Sequence, residues 1–240
     1  MKPDSPFFTS CLSALEASPL FGALARETLV DMMGHFRRET LSKKRSWGKT
    51  QRGDRFYILV SGRLKLFQIN EATGRSVTLF LLGPGDVFDV FSLLDGGPGG
   101  LYAEALDDLE LLSAPVSEVR AWIEAHPEFN RAFLPYLGKA MRTLGELAAD
   151  LALHDTETRL ARLILRHVDE RAPDHPLKLI NDLPHEQLAE MIGTVRAVVN
   201  RQLQHWKKED VIKSEESRVV VEDLNTLIEK SDEHLSRGRE

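Results

Sequence analysis

The hydrophobic pattern changes period along the chain. Up to about Thr40 it is helical. Pro19-Leu20-Phe21 leads into residues 25–36, where Leu29, Met32, Met33 and Phe36 recur three and four apart. From about Leu41 to Pro115 the period shortens. Phe56-Tyr57-Ile58-Leu59-Val60 is a short apolar run ending at Ser61-Gly62, Leu64 and Leu66 alternate with polar neighbours, and Val77 to Leu82 makes another apolar strand. Thr73-Gly74, Gly83-Pro84-Gly85-Asp86 and Gly96-Gly97-Pro98-Gly99-Gly100 punctuate this stretch as turns and loops. Short strands with frequent glycine turns predict a β-sandwich or barrel.

Helical spacing then returns over residues 130–154. Leu134, Leu137, Met141, Leu144, Ala148 and Leu151 follow steps of 3, 4, 3, 4 and 3. This heptad seam favours helix-to-helix pairing, against the alternative of a helix buried on its own domain. Gly138 and Gly145 each weaken it by roughly 1 kcal/mol relative to alanine. Asp155 reads as the N-cap of a helix over 156–168 and a domain boundary. The division is 1–127 for a β-barrel domain, 128–154 for the dimerisation helix and 155–240 for the last domain.

Within that last domain, Leu183 to Gly193 predicts a short helix with Leu188, Met191 and Ile192 facing inward. Gly193 sits where a tight interhelical turn needs it. Thr194 is the expected cap of the next helix, whose apolar side is Val195, Val198, Val199, Leu203 and Trp206. Between Thr194 and Lys208 lie Arg196, Arg201, Lys207 and Lys208, and no Asp or Glu. Val211-Ile212-Lys213, Ser214-Glu215-Glu216-Ser217 and Arg218-Val219-Val220-Val221 read as strand, turn and strand of a hairpin wing. A basic helical face alone could be a solvated surface; the order helix, glycine turn, basic helix and hairpin points to a DNA-binding domain.

Composition narrows the classes. The 240 residues are 42% hydrophobic and 28% charged, with a net charge of −6, a globular profile in which a basic helix stands out locally. The apolar runs fall short of the roughly 18–20 residues of a membrane span, and the N-terminus lacks a signal-peptide core, so a cytoplasmic protein without membrane partners is expected. Cys11 is the single cysteine, which excludes an iron–sulfur cluster held by four cysteines of one chain. There is no nucleophile elbow, no phosphate loop and no zinc spacing, so an enzyme is not expected.

From Pro19 to about Val221 the chain resembles the cyclic-AMP receptor protein and fumarate–nitrate reductase regulator (CRP/FNR) family. The matching pieces are Gly53-Asp54-Arg55-Phe56-Tyr57-Ile58-Leu59-Val60-Ser61-Gly62, Gly85-Asp86-Val87-Phe88, the long helix with Asp155, and Gln187-Leu188-Ala189 through Gly193-Thr194-Val195-Arg196 to Asn200-Arg201. The resemblance implies an α+β fold: a cyclic-nucleotide-binding-like jelly roll, a dimerisation helix and a winged helix-turn-helix. It further implies a homodimer on double-stranded DNA that acts with RNA polymerase, under an effector that turns the DNA-binding heads through Asp155. Arg196 and Arg201 fall where the family reads guanine, which suits a guanidinium facing O6 and N7. Ala197 takes a place often held by a base-reading glutamate. Thr194, Asn200, Gln204 and His185 are candidate phosphate or base contacts.

The sensor part departs from the cyclic-nucleotide pattern. Asp89-Val90 stands where a Gly-Glu pair holds ribose, Gly99-Gly100 where Arg-Ser holds the cyclic phosphate, and Leu144-Gly145 where two hydroxyls meet adenine. A buried phosphodiester without its arginine would cost several kcal/mol, so an effector other than cyclic AMP is expected. Phe88, Phe91, Leu93, Leu94, Leu101 and Tyr102, beside Met141 and Leu144, read either as barrel core or as an apolar effector pocket. The pocket version suits a hydrophobic ligand or a haem sensing nitric oxide. The position of the carbon-monoxide sensor's ligating histidine is Phe91, which leaves His35, His126, His154 or Met141 as ligand. A ligand-independent constitutive dimer and a redox sensor using Cys11 are also compatible with these residues.

Overall fold

The computed structural model describes residues 5–18, 20–49, 54–97, 100–169, 177–215 and 218–231. Pro19, Gly53, Pro98, Gly99, Glu216 and Ser217, which carry parts of the sequence reading, lie outside the described residues. The chain divides into two compact units, residues 1–68 with 80–143 and residues 69–79 with 144–240. The division falls inside the long helix.

The first unit opens with α1 (Pro6–Ala17), whose N-cap Ser5 accepts from the Phe8 amide at 3.2 Å, and α2 (Arg26–Gly34). The hydrophobic period predicts helix to about Thr40, but α2 ends at Gly34 and Arg37–Leu41 forms strand β1. The competing force is tertiary: β1 pairs antiparallel with β8 (Leu109–Pro115) from Arg37↔Ser113 to Leu41↔Leu109, a register that local periodicity cannot reveal.

The remaining strands are β2 (Ser46–Trp47), β3 (Arg55–Ser61), β4 (Leu64–Ile69), β5 (Ser76–Leu82), β6 (Val87–Phe88) and β7 (Tyr102–Ala105). They form two four-stranded sheets, ordered β1-β8-β3-β6 and β2-β7-β4-β5. Between β6 and β7 lies α3 (Val90–Asp95). After β8 come α4 (Val116–Ala125), a 3-10 turn (Pro127–Phe129) and α5 (Asn130–Leu153). Neither α3 nor α4 is marked by the hydrophobic pattern.

Phe56, Ile58 and Val60 of β3 join α1, α2, α4 and the start of α5 in one apolar core. The Gly83-to-Asp86 turn is pinned to it. Ser18 Oγ donates to the Gly85 carbonyl at 2.8 Å, and Gly85, at φ +87°, would bring a Cβ to 2.8 Å from that of Ser18. Only glycine fits such a left-handed, crowded position.

In the second unit Asp155 caps α6 (Thr156–His167) by accepting from the Thr158 amide at 2.9 Å. The corner from α5 into α6 is clamped from within. Asp150, 3% exposed, accepts from Arg162 at 2.8 Å and from Arg166 at 3.0 Å, and Arg162 also donates to the Ser231 carbonyl at 2.9 Å. Then follow α7 (His185–Met191), α8 (Arg196–Lys208), the hairpin of β9 (Ile212–Glu215) and β10 (Arg218–Val221), and α9 (Leu224–Ser231), which the pattern does not announce. Trp206 is fully buried and donates to Glu157 at 3.0 Å, and Lys230 of α9 reaches both Glu157 (3.5 Å) and Glu209 (3.0 Å). These contacts lock α6, α8 and α9 together.

Candidate nucleic-acid interface

The geometry begins at the turn. Leu188, Ala189 and Met191 anchor α7, and the chain reverses at Gly193, φ +65°. A Cβ there would lie 2.6 Å from Leu151 Cδ2, so the last turns of α5 abut the turn between the two helices. The Thr194 amide donates to the Ala189 carbonyl at 2.9 Å. The cap of α8 is Val195, extended at φ −116° and ψ 151°, and no side chain caps the helix. Thr194 therefore does not cap α8 as expected, because the reversal at Gly193 places it one residue too early.

Helix α8 is sharply two-sided. Val199, Leu203 and Trp206 are buried, while Arg196, Ala197, Asn200, Arg201, Gln204, Lys207 and Lys208 are exposed. Ala197, Arg201, Gln204 and Lys208 fall at helical spacing on the side opposite the buried one. Among the described residues, Arg196, Arg201, Lys207 and Lys208 have no carboxylate partner. His185 and Thr194, both half-buried, flank the exposed face at the start of α7 and before α8. Val195 is 55% exposed, although the sequence pattern assigns it to the apolar side. The available signal was chemical: a β-branched residue where a capping Ser, Thr or Asp would be expected.

The sensor residues are more scattered. Phe88 is buried, stacked on Tyr57 at 4.7 Å and near Trp47 at 6.2 Å, so an aromatic stack fills that part of the roll. Leu93 and Leu101 are buried, Tyr102 is half-buried against Phe67 at 5.5 Å, and Leu144 is half-buried. Phe91, Leu94 and Met141 are 47%, 54% and 74% exposed. Short helix α3 turns Phe91 and Leu94, three apart, toward solvent together. Along the seam Leu134 (63%) and Met141 are exposed, as is Ala148; Leu137 packs on the first unit's core and Leu151 against Gly193.

The groups expected to meet a cyclic nucleotide are placed as follows. Val90 and Gly100 offer neither a carboxylate for ribose nor a cation for phosphate, and neighbouring Phe88 is engaged in the stack. Among the conceivable haem ligands, Met141 is 74% exposed, and His126 stacks on Trp122 at 4.6 Å with Nδ1 at 3.0 Å from the Trp122 carbonyl. His35 lines a small apolar crevice with Met32, Phe36 and Trp122. Helix α5 also touches the roll directly, since Tyr136 Oη accepts from the Val87 amide at 3.4 Å. Burial beside Asp86 pushes that phenol's pKa up, and burial likewise raises the carboxyl of Asp86. Cys11 is fully buried in the core and its thiol is pushed up to about 12 by burial, which removes the exposed thiolate that a redox sensor needs.

Comparison with known proteins agrees with this layout. Residues 158–230 match the Crp-like helix-turn-helix domain and residues 47–126 the cyclic nucleotide-binding domain. A CRP-like cAMP-activated global transcriptional regulator of Mycobacterium tuberculosis is 28% identical over 181 residues, 75% of this chain and 80% of the relative. A global nitrogen regulator of Synechocystis is 31% identical over 173 residues, 70% of this chain and 76% of the relative. The solved structure of a CooA mutant from Carboxydothermus hydrogenoformans superposes with a TM-score of 0.72 at 23% identity, covering 84% of this chain and 90% of that one, a likeness of fold. With a cyclic-nucleotide-binding-type roll, a long helix and a winged helix-turn-helix whose basic face is open, the chain belongs to the CRP/FNR family of DNA-binding transcription regulators.

Proposed function

We propose that the protein acts as a cytoplasmic homodimer that reads a two-fold symmetric site on double-stranded DNA and acts there with RNA polymerase, without enzymatic turnover. The observation that carries this reading is the exposed basic face of α8, whose Arg196, Arg201, Lys207 and Lys208 have no carboxylate partner among the described residues. Arg196 and Arg201 read guanine, and His185, Thr194, Ala197, Asn200 and Gln204 complete the surface against bases and phosphates. Leu134, Leu137, Met141, Leu144, Ala148 and Leu151 form the seam between two copies of α5. The solvent exposure of Leu134 and Met141 supports the first part of it.

The effector is a compound other than cyclic AMP, acting on Phe88, Phe91, Leu94, Leu101, Tyr102, Met141 and Leu144, with Asp155 as the hinge. The Tyr136 contact to the Val87 amide supplies a route from the roll to α5. The described helices are all too short or too polar to cross a bilayer.

The close Trp47–Tyr57–Phe88 packing favours a second reading, a ligand-independent dimer with the roll as scaffold.

Selection of binding sites from random duplexes by the full-length protein, both as isolated and after removal of bound ligand, tests both. The proposal expects a palindrome with half-sites roughly 34 Å apart. Equal recovery of all sequences would overturn it. Full affinity of the stripped protein would assign the ligand-independent reading.

A further inference from the structure

The N-terminal end of α8 carries two exposed apolar groups that the guanine-reading arginines leave unused. Val195 stands at the N-cap in extended geometry, 55% exposed, with no side-chain cap for the helix. Ser, Thr, Asp or Asn at this position would contribute about 1 kcal/mol of helix stability. A bare isopropyl group contributes no cap, and more than half of it meets solvent. Two residues on, exposed Ala197 lies on the outward face one turn before Arg201. Its single methyl is the smallest side chain there, so the backbone of α8 can approach a base edge closely. Arg196 lies between the two, also exposed and free of any carboxylate partner among the described residues.

In a major groove the sole apolar feature of the base edges is the thymine C5-methyl, and small apolar side chains are its complement. The flanking guanidiniums fix what such a surface meets. They require an anionic, hydrogen-bond-accepting partner, and DNA supplies phosphate and guanine edges beside the thymine methyls. We propose that Val195 and Ala197 are specificity-determining residues that read thymine methyl groups next to the guanine contacted by Arg196. This rests on the DNA-reading assignment of α8 and names the base feature that small exposed apolar side chains complement.

The test uses a selected duplex and the full-length protein. Each thymine of one half-site is replaced in turn by deoxyuridine, which pairs identically and lacks only the methyl. At one or two positions flanking the Arg196-dependent guanine, wild-type affinity falls about three- to fivefold, the effect of losing one buried methyl. In Val195→Ser, or in Ala197→Ser for the second position, thymine and uracil bind equally, while the Arg196-dependent guanine preference stays. Both side chains are exposed, so folding is kept, and Val195→Ser adds a cap. Indifference of the wild type to uracil at every position, with guanine discrimination intact, overturns this inference and leaves the DNA-reading assignment standing. Absence of any selected sequence removes both.

Discussion

Replacing Asp150 tests how the end of α5 is joined to the DNA-binding unit. Its carboxylate is 4% exposed and accepts from two guanidiniums, at 2.8 and 3.0 Å, whose own side chains remain 31% and 33% exposed. Removing one partner from a fully buried pair costs about 3–5 kcal/mol, because the other charge is stranded. Here water can reach about a third of each arginine, so the expected cost of Asp150→Ala is about 2–3 kcal/mol. Asp150→Asn keeps one accepting oxygen and the volume, and loses roughly half as much. For a unit of about 100 residues, each kcal/mol moves the midpoint roughly 4–8 °C. Calorimetry of the full chain, following the transition that exposes Trp206, should therefore record a drop of roughly 10–20 °C for Asp150→Ala. A loss below about 0.5 kcal/mol would refute the reasoning and place the pair among weak surface contacts.

Gly193→Ala puts a Cβ 2.6 Å from Leu151 Cδ2 at φ +65°. The left-handed backbone costs about 1 kcal/mol and the crowding about 1 more, and Leu151→Ala should relieve only the second part in a double-mutant cycle by denaturation; strict additivity would contradict the contact. His167 has its pKa lowered, first by burial, with Nδ1 at 2.9 Å from the Leu163 carbonyl. The unfolded chain therefore takes up the proton first: the full contribution of neutral His167 holds above about pH 6.5 and is lost as pH falls from there toward the depressed folded value. In His167→Gln that part of the pH-dependence of urea stability should vanish; an unchanged profile would remove the assignment. Cys11, fully buried with its thiol near 12, should resist thiol reagents in native protein and react at once in denaturant; fast native labelling would show the α1 core to be open.

The parts legible in the sequence are those set by local spacing and by residues with one conformational role. The heptad steps draw α5 to within a residue of its end, Gly193 marks the turn after α7, and Asp155 marks the cap of α6. The two faces of α8 follow from Val199, Leu203 and Trp206 against Arg201 and Gln204. The illegible parts depend on partners distant in sequence. Residues 37–41 leave the helical period because β8 recruits them. Phe91 and Leu94 look like core by hydrophobicity and face solvent, since six-residue α3 buries only Ser92 and Leu93. Asp150 looks like one more polar position on a heptad helix until Arg162 and Arg166 arrive from α6. Val195 reads as core by period, whereas the N-cap takes its direction from the turn before it.

The central claim is that the exposed face of α8 reads base sequence and does not merely attract phosphate. Titration of selected and random duplexes across a salt series, with wild type, Arg196→Ala and Lys207→Ala, tests it most directly. The account predicts that Arg196→Ala loses about 1–3 kcal/mol on the selected site with little change on random DNA, whereas Lys207→Ala weakens both equally and lowers the salt slope by about one. Equal losses on both duplexes for Arg196→Ala would contradict it.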